Sequence, residues 1–204
     1  NLTLNSNKSG GTDQWSFLVG ENTNTNVSIA GDLIINCAGT LRSDHRFASG
    51  TGSTFAVGGN LAINNTNTDS GTIITMGVNG TSTYNGNITL TNTGGSNGVT
   101  FNSGASASAT QAPPGSFSIA GGFTSGSLNI QRFTNPGAGA LNLNLGGTTT
   151  LLRVGPATSF GGIADLRAPQ RYLDGISIGG TAYLEKNGSI NNTGLGNNTF
   201  GSTT

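Results

Sequence analysis

Short stretches of alternating apolar and polar residues recur along this chain, each broken by glycine or asparagine after a few positions. The clearest is Val27-Ser28-Ile29-Ala30-Gly31-Asp32-Leu33-Ile34-Ile35-Asn36. It returns as Phe55-Ala56-Val57-Gly58-Gly59-Asn60-Leu61-Ala62-Ile63-Asn64 and as Thr83-Tyr84-Asn85-Gly86-Asn87-Ile88-Thr89-Leu90-Thr91-Asn92. Looser copies run over Phe117–Phe123, Leu143–Thr148 and Ile176–Leu184. Between copies stands a third apolar element after a Gly/Asn/Ser turn, as in Gly71–Gly77 and Gly98–Gly104, with Gln14–Val19 as its counterpart one repeat earlier. Successive side chains on a strand point to opposite faces, so a period of two with abundant threonine predicts strands. Helix-like spacing is confined to Arg42–Phe47 and Ile163–Leu173, and Pro169 limits the second to a turn or two.

The punctuating glycines advance from Gly31 to Gly180 in five steps of 25 to 36 residues. A unit of about 30 residues with three short strands cannot bury a core alone, but stacked coils cover one another's apolar edges. The pattern therefore predicts an all-β chain, a single β-solenoid segment over residues 1–204 with irregular coils of about 30 residues. An antiparallel β-sandwich, which also turns every 8 to 12 residues or so, is the alternative. Gly31, Gly59 and Gly86 are expected to stack at equivalent bends. Ile29, Leu33, Ile35, Val57, Leu61, Ile63, Ile88 and Leu90 are expected to point inward, with Asn and Thr forming hydrogen-bonded ladders at the turns. Thr40–Gly50, Ala105–Gly115 and Gly161–Asp174 interrupt the series and read as insertions. The chain opens and closes inside the pattern, at Asn1–Asn5 and Asn197–Gly201, as a piece of a longer repetitive protein would.

Composition narrows the function classes. Only 8% of residues are charged, 8 basic against 8 acidic, while Gly, Asn, Thr and Ser make up 111 of 204. No basic surplus is present to neutralise phosphates, so nucleic acid is not an expected partner. No run approaches the roughly 18 apolar residues of a membrane span. Leu, Ile, Val and Phe sum to 45 residues at zero net charge, which separates the chain from disordered ones. The apolar flanks of Cys37 predict a buried thiol.

His45 lies between Asp44 and Arg46. Ser43 and Asp44 are too close in sequence to complete a hydrolytic triad with it, so a solvated or interface loop is the expectation. One His and one Cys fall short of the four ligands of structural zinc, and calcium-binding nonapeptide repeats are absent, so neither metal nor cofactor is expected. Asp165, Arg167, Arg171 and Asp174 form the densest charged group. Hydrolysis of a glycoside needs two placed carboxylates, and Asp165 with Asp174 would serve only if their segment folds back on itself. No catalytic residue is assigned. With Arg42, Asp44 and Arg46, the group reads instead as contacts between copies in a homo-oligomer or filament, since mixed-sign charges set register between chains. Thr89, Thr91 and Thr93, and Thr148 to Thr150, are candidate rows for an ice or sugar surface.

The Thr-rich block Ser82-Thr83-Tyr84-Asn85-Gly86-Asn87-Ile88-Thr89-Leu90-Thr91-Asn92-Thr93-Gly94 resembles repeats of very long secreted adhesins and filament subunits of gliding bacteria, similar in style to filamentous-haemagglutinin β-helices and including hook-like extracellular filaments. The resemblance covers residues 20 to 104 best. It implies a secreted, extracellular or cell-surface location, a solenoid fold, self-assembly and attachment to other cells, and it supplies no catalytic residues. A carbohydrate-binding module that meets glycans is the alternative function, and a carbohydrate-active β-helix enzyme the third.

Overall fold

The computed structural model describes residues 1–11, 14, 16–95, 97–188 and 193–203. It is all-β: among the described residues there is no helix, and every strand pair is parallel. Parallel pairing excludes the antiparallel sandwich and makes the chain a β-solenoid. Each coil crosses three faces in turn. The first carries Leu2–Lys8, Leu33–Gly39, Leu61–Asn65, Ile88–Asn92, Phe117–Phe123, Leu141–Asn144 and Ala164–Ala168. The second is an eight-stranded sheet of Leu18–Val19, Asp44–Phe47, Ile73–Met76, Gly98–Phe101, Ser127–Ile130, Leu151–Val154, Gln170–Leu173 and Thr193–Leu195. Asn26–Ile29, Thr54–Val57, Thr81–Tyr84, Ser108–Gln111, Phe133–Asn135 and Thr158–Phe160 form the third. The long strand Ile176–Lys186 runs from the third face onto the first and merges the two into one 15-stranded sheet, with Thr199–Thr203 beside it.

Registers give the coil lengths directly. On the first face Leu2 lies opposite Leu33, then come Leu61, Ile88, Phe117, Leu141, Ala164 and Ala182, so coils of 31, 28, 27 and 29 residues give way to 24, 23 and 18. The solenoid narrows along its length.

Period-two alternation on each face sends one set of side chains inward. Leu33, Ile35, Val57, Leu61, Ile63, Ile88 and Leu90 are fully buried, and Ile29 packs against them partly buried, as the alternation predicts. Midway along, Tyr84, Phe101, Phe117, Phe133 and Phe160 interlock, with Phe133 within 5.6–6.3 Å of the other four ring centres. Cys37 is buried, and burial pushes its thiol up to about 12, out of thiolate chemistry.

Corners follow two devices. Between the third and first faces Gly59 N–H donates to the Gly31 carbonyl at 3.0 Å, and a Cβ on Gly86 would press on Gly59, so the three glycines do stack. Between the second and third faces a left-handed residue turns the chain in coil after coil: Gly20 (φ 66°), Ala48 (48°), Gly77 (93°), Asn102 (61°), Arg132 (46°) and Gly175 (65°). Such a conformation is costly for a side-chain-bearing residue. Arg132 offsets that cost by wrapping back, its guanidinium donating to the carbonyls of Asn102, Gly104 and Ala107.

The structure corrects several expectations. Arg42–Phe47 and Ile163–Leu173 are not helical but hold strands Asp44–Phe47, Ala164–Ala168 and Gln170–Leu173. Gly161–Asp174 is therefore no insertion; it belongs to the shortest coil. The copies at Phe117–Phe123 and Leu143–Thr148 are out of phase, because Phe117 and Leu143 already lie on the first face. The corresponding bends hold Pro113, Pro114 and Gly115 in one coil and Pro136 to Gly139 in the next. The Gln14–Val19 element is confirmed in Leu18–Val19, which pairs with Arg46–Phe47, while Trp15 lies outside the described residues.

Candidate functional site

Ladders of side-chain amides run along the solenoid where the coils are wide. At the third-to-first corner, Asn1 Oδ1 accepts from the Asp32 N–H at 2.9 Å, Asp32 Oδ1 from Asn60 N–H at 2.7 Å, Asn60 Oδ1 from Asn87 N–H at 2.9 Å, and Asn87 Oδ1 from Ser116 N–H at 2.9 Å. On the outside of the first face Asn64 Nδ2 donates to Asn36 Oδ1 at 2.9 Å, and Asn36 Nδ2 to Asn5 Oδ1 at 2.8 Å. A buried counterpart links Asn65 Nδ2 to Asn92 Oδ1 at 2.7 Å, and Asn92 Nδ2 donates to the Ser125 carbonyl. These bonds join one coil to the next, which is where the expected Asn ladders belong. The threonine rows are less uniform: Thr89 and Thr91 are half-buried on the first face and Thr93 is exposed, while Thr150 is buried against the Gly146 carbonyl.

Charged side chains occupy particular outward positions. Asp44 and Arg46 are two apart on one strand of the second face and pair side by side, Arg46 Nε and Nη2 reaching the two carboxylate oxygens at 3.0 and 2.6 Å. That hydrogen bond holds the Arg46 guanidinium above its ordinary range. Arg42 sits at the preceding corner, its side chain against Gly71. Asp165 and Arg167 repeat the arrangement on the first face, at 2.7 and 2.8 Å, and Glu185 joins Arg167 from the next coil at 3.4 Å. Tyr183, also in the next coil, lies under the Arg167 guanidinium at 4.6 Å and donates its hydroxyl to Glu185.

Two ionisable residues point the other way. His45 shares parity with Phe47 and is fully buried, not in a solvated loop. Its ring stacks on Phe17 at 4.7 Å, and its Nδ1 accepts from the Phe17 N–H at 3.0 Å, which leaves the proton on Nε2. Burial lowers its pKa to about 4 against a smaller opposing pull from Asp44. Arg171 shares parity with Leu173 and is likewise turned inside; burial lowers its pKa, and its Nε and Nη1 have no partner among the described residues. On the second face the inward column reads His45, Ile74, Val99, Leu128, Leu152, Arg171, so two ionisable side chains bracket an aliphatic stack. Neither was legible as buried from composition, but parity with Phe47 and Leu173 carries the signal.

Asp174 stands at the second-to-third corner and Asp165 on the first face, so the two carboxylates expected to pair for hydrolysis serve different faces. Asp174 instead lines a surface cleft of about 220 Å³ with Arg153 and Tyr172. Among the described residues no cluster of three or more His, Cys, Asp or Glu side chains offers a metal site. Among the described residues no helix is long and apolar enough to cross a membrane. Comparison with protein-family models, with curated proteins and with solved structures finds no match to this chain.

Proposed function

We propose that this chain is a structural, self-assembling segment of an extracellular filament or adhesin, a stiff rod that presents its outward faces to another cell surface. The observation supporting this reading is the hydrogen bonding that runs coil to coil along the axis, through the parallel backbone ladders and the corner series Asn1, Asp32, Asn60, Asn87 and Ser116. Through the wide coils, each corner offers its successor a side-chain oxygen as its predecessor did to it. A stack built this way can be extended by any further coil of matching register, and an open strand edge invites such pairing. The adhesin-like Thr-rich block supports the extracellular setting. Charged pairs Asp44–Arg46 and Asp165–Arg167–Glu185 supply register marks on an otherwise nearly uncharged surface.

Light scattering across a concentration series, with electron microscopy of the same samples, tests the proposal. Particles should lengthen with concentration at constant width, and oriented samples should diffract near the ~4.8 Å strand spacing along the long axis. A particle that stays a monomer at every concentration would overturn self-assembly.

A further inference from the structure

The cleft beside Tyr172 has the parts of a small ligand site. Tyr172 is 40% exposed, one of few large apolar side chains left in water. Along the outward column of the second face it follows Arg153, whose guanidinium lies 5.4 Å from its ring centre, and it precedes Gly194. Asp174 closes the cleft at the corner. A Cβ on Gly155 would strike the Asp174 carbonyl and one on Gly196 its carboxylate, so two glycines keep the place where this acid sits.

Charge use separates this cleft from the similar cluster on the first face. There Arg167 also lies over a tyrosine but is bound to Asp165 and Glu185. Here neither the Arg153 guanidinium nor the Asp174 carboxylate has a hydrogen-bond or ion-pair partner among the described residues. An arginine and an acid without polar partners, and the exposed part of the Tyr172 ring beside them, are thus left for something outside the chain.

We propose that the Arg153–Tyr172–Asp174 cleft binds one ring of an acidic polysaccharide, a uronic acid unit. The C–H face of a sugar ring carries slight positive charge and packs on the negative face of an aromatic ring. Arg153 takes the ring carboxylate as a planar fork. Asp174, an acceptor only, receives sugar hydroxyls. A phosphate ion has no C–H face to lay on the Tyr172 ring, and a neutral sugar would leave Arg153 without its counter-charge. The volume, below the roughly 300 Å³ of drug-sized pockets, suits a single ring. Attachment to an acidic glycan coat goes beyond the assembly reading and is independent of it, since binding is scored per chain whatever the particle length.

Calorimetry of the full chain with short glucuronic acid oligomers, glucose oligomers and inorganic phosphate tests this. Glucuronic acid oligomers should bind about tenfold or more tighter than glucose oligomers, the worth of one charge-assisted pair. Arg153→Gln should reduce the first to the level of the second. Tyr172→Ala should abolish both, and Tyr172→Phe, which keeps the ring, should bind as the parent does. Failure of the glucuronic acid oligomers to bind, equal binding of phosphate, or binding untouched by Arg153→Gln would each overturn the assignment. Should Tyr172→Ala not fold, Tyr172→Phe and Arg153→Gln still decide it.

Discussion

The wide coils before Phe117 and the narrow coils after Leu141 are built from strands of nearly the same length. Ile73–Met76 and Leu151–Val154 are both four residues long, and Leu61–Asn65 and Ala164–Ala168 both five. The difference lies in the corners. Between the first and second faces one wide coil uses residues 66 to 72, whereas the narrowest uses Pro169 alone. Wide corners enclose polar backbone, and buried Asn65, Asn67, Thr72 and Asn92 satisfy it. Narrow corners have little to enclose. Their inward side chains shrink instead: the column that reads Leu33, Leu61, Ile88, Phe117 and Leu141 ends in Ala164 and Ala182. Face length is thus the constant of this solenoid, and corner length sets its girth.

The largest test falls at the junction. Phe133 touches four other aromatic rings where wide coils meet narrow ones, so Phe133→Ala should cost about 3–5 kcal/mol, read as a loss of stability in urea unfolding. Unchanged stability would mean that the two regions do not share a core.

In the wide region, His45 should make stability fall with acid. Its folded pKa of about 4 lies below the roughly 6.5 of an unfolded histidine, so the unfolded state binds more protons between those values. Stability from this group is complete above about pH 6.5 and declines as pH falls towards 4, by on the order of 3 kcal/mol. Unfolding curves from pH 8 to 4 should show that slope in the parent and a shallower one in His45→Gln; identical slopes would place the acid sensitivity elsewhere.

Ala164→Leu asks whether the narrow coil is as tight as its alanines imply. Leucine is native one coil earlier at Leu141, yet at Ala164 it should overpack and cost roughly 1–3 kcal/mol. A neutral or stabilising result would show spare room in the narrow interior. Smallest of all, Arg167→Ala removes two partly exposed ion pairs and should leave the unfolding midpoint of the isolated chain nearly where it was. A clear drop would show that this surface network supports the narrow coils.

Period-two alternation and glycine spacing were enough to identify parallel coils at Gly31, Gly59, Gly86 and Gly180, because strand parity and a tight bend are local properties. They misled at Gly121 and Gly146. Gly121 lies in an irregular stretch of the first-face strand Phe117–Phe123, and Gly146 just past the first face, and both imitate the strand–glycine–strand signature of a true corner. The buried places of His45 and Arg171 were written in their parity with Phe47 and Leu173, and charge obscured it. What only the tertiary structure decided is which residues meet across coils. Arg153, Tyr172 and Asp174 share a cleft because register places Tyr172 one rung after Arg153 and a glycine one rung later. Register depends on corner lengths summed over a whole coil, a quantity to which no single stretch of sequence is sensitive.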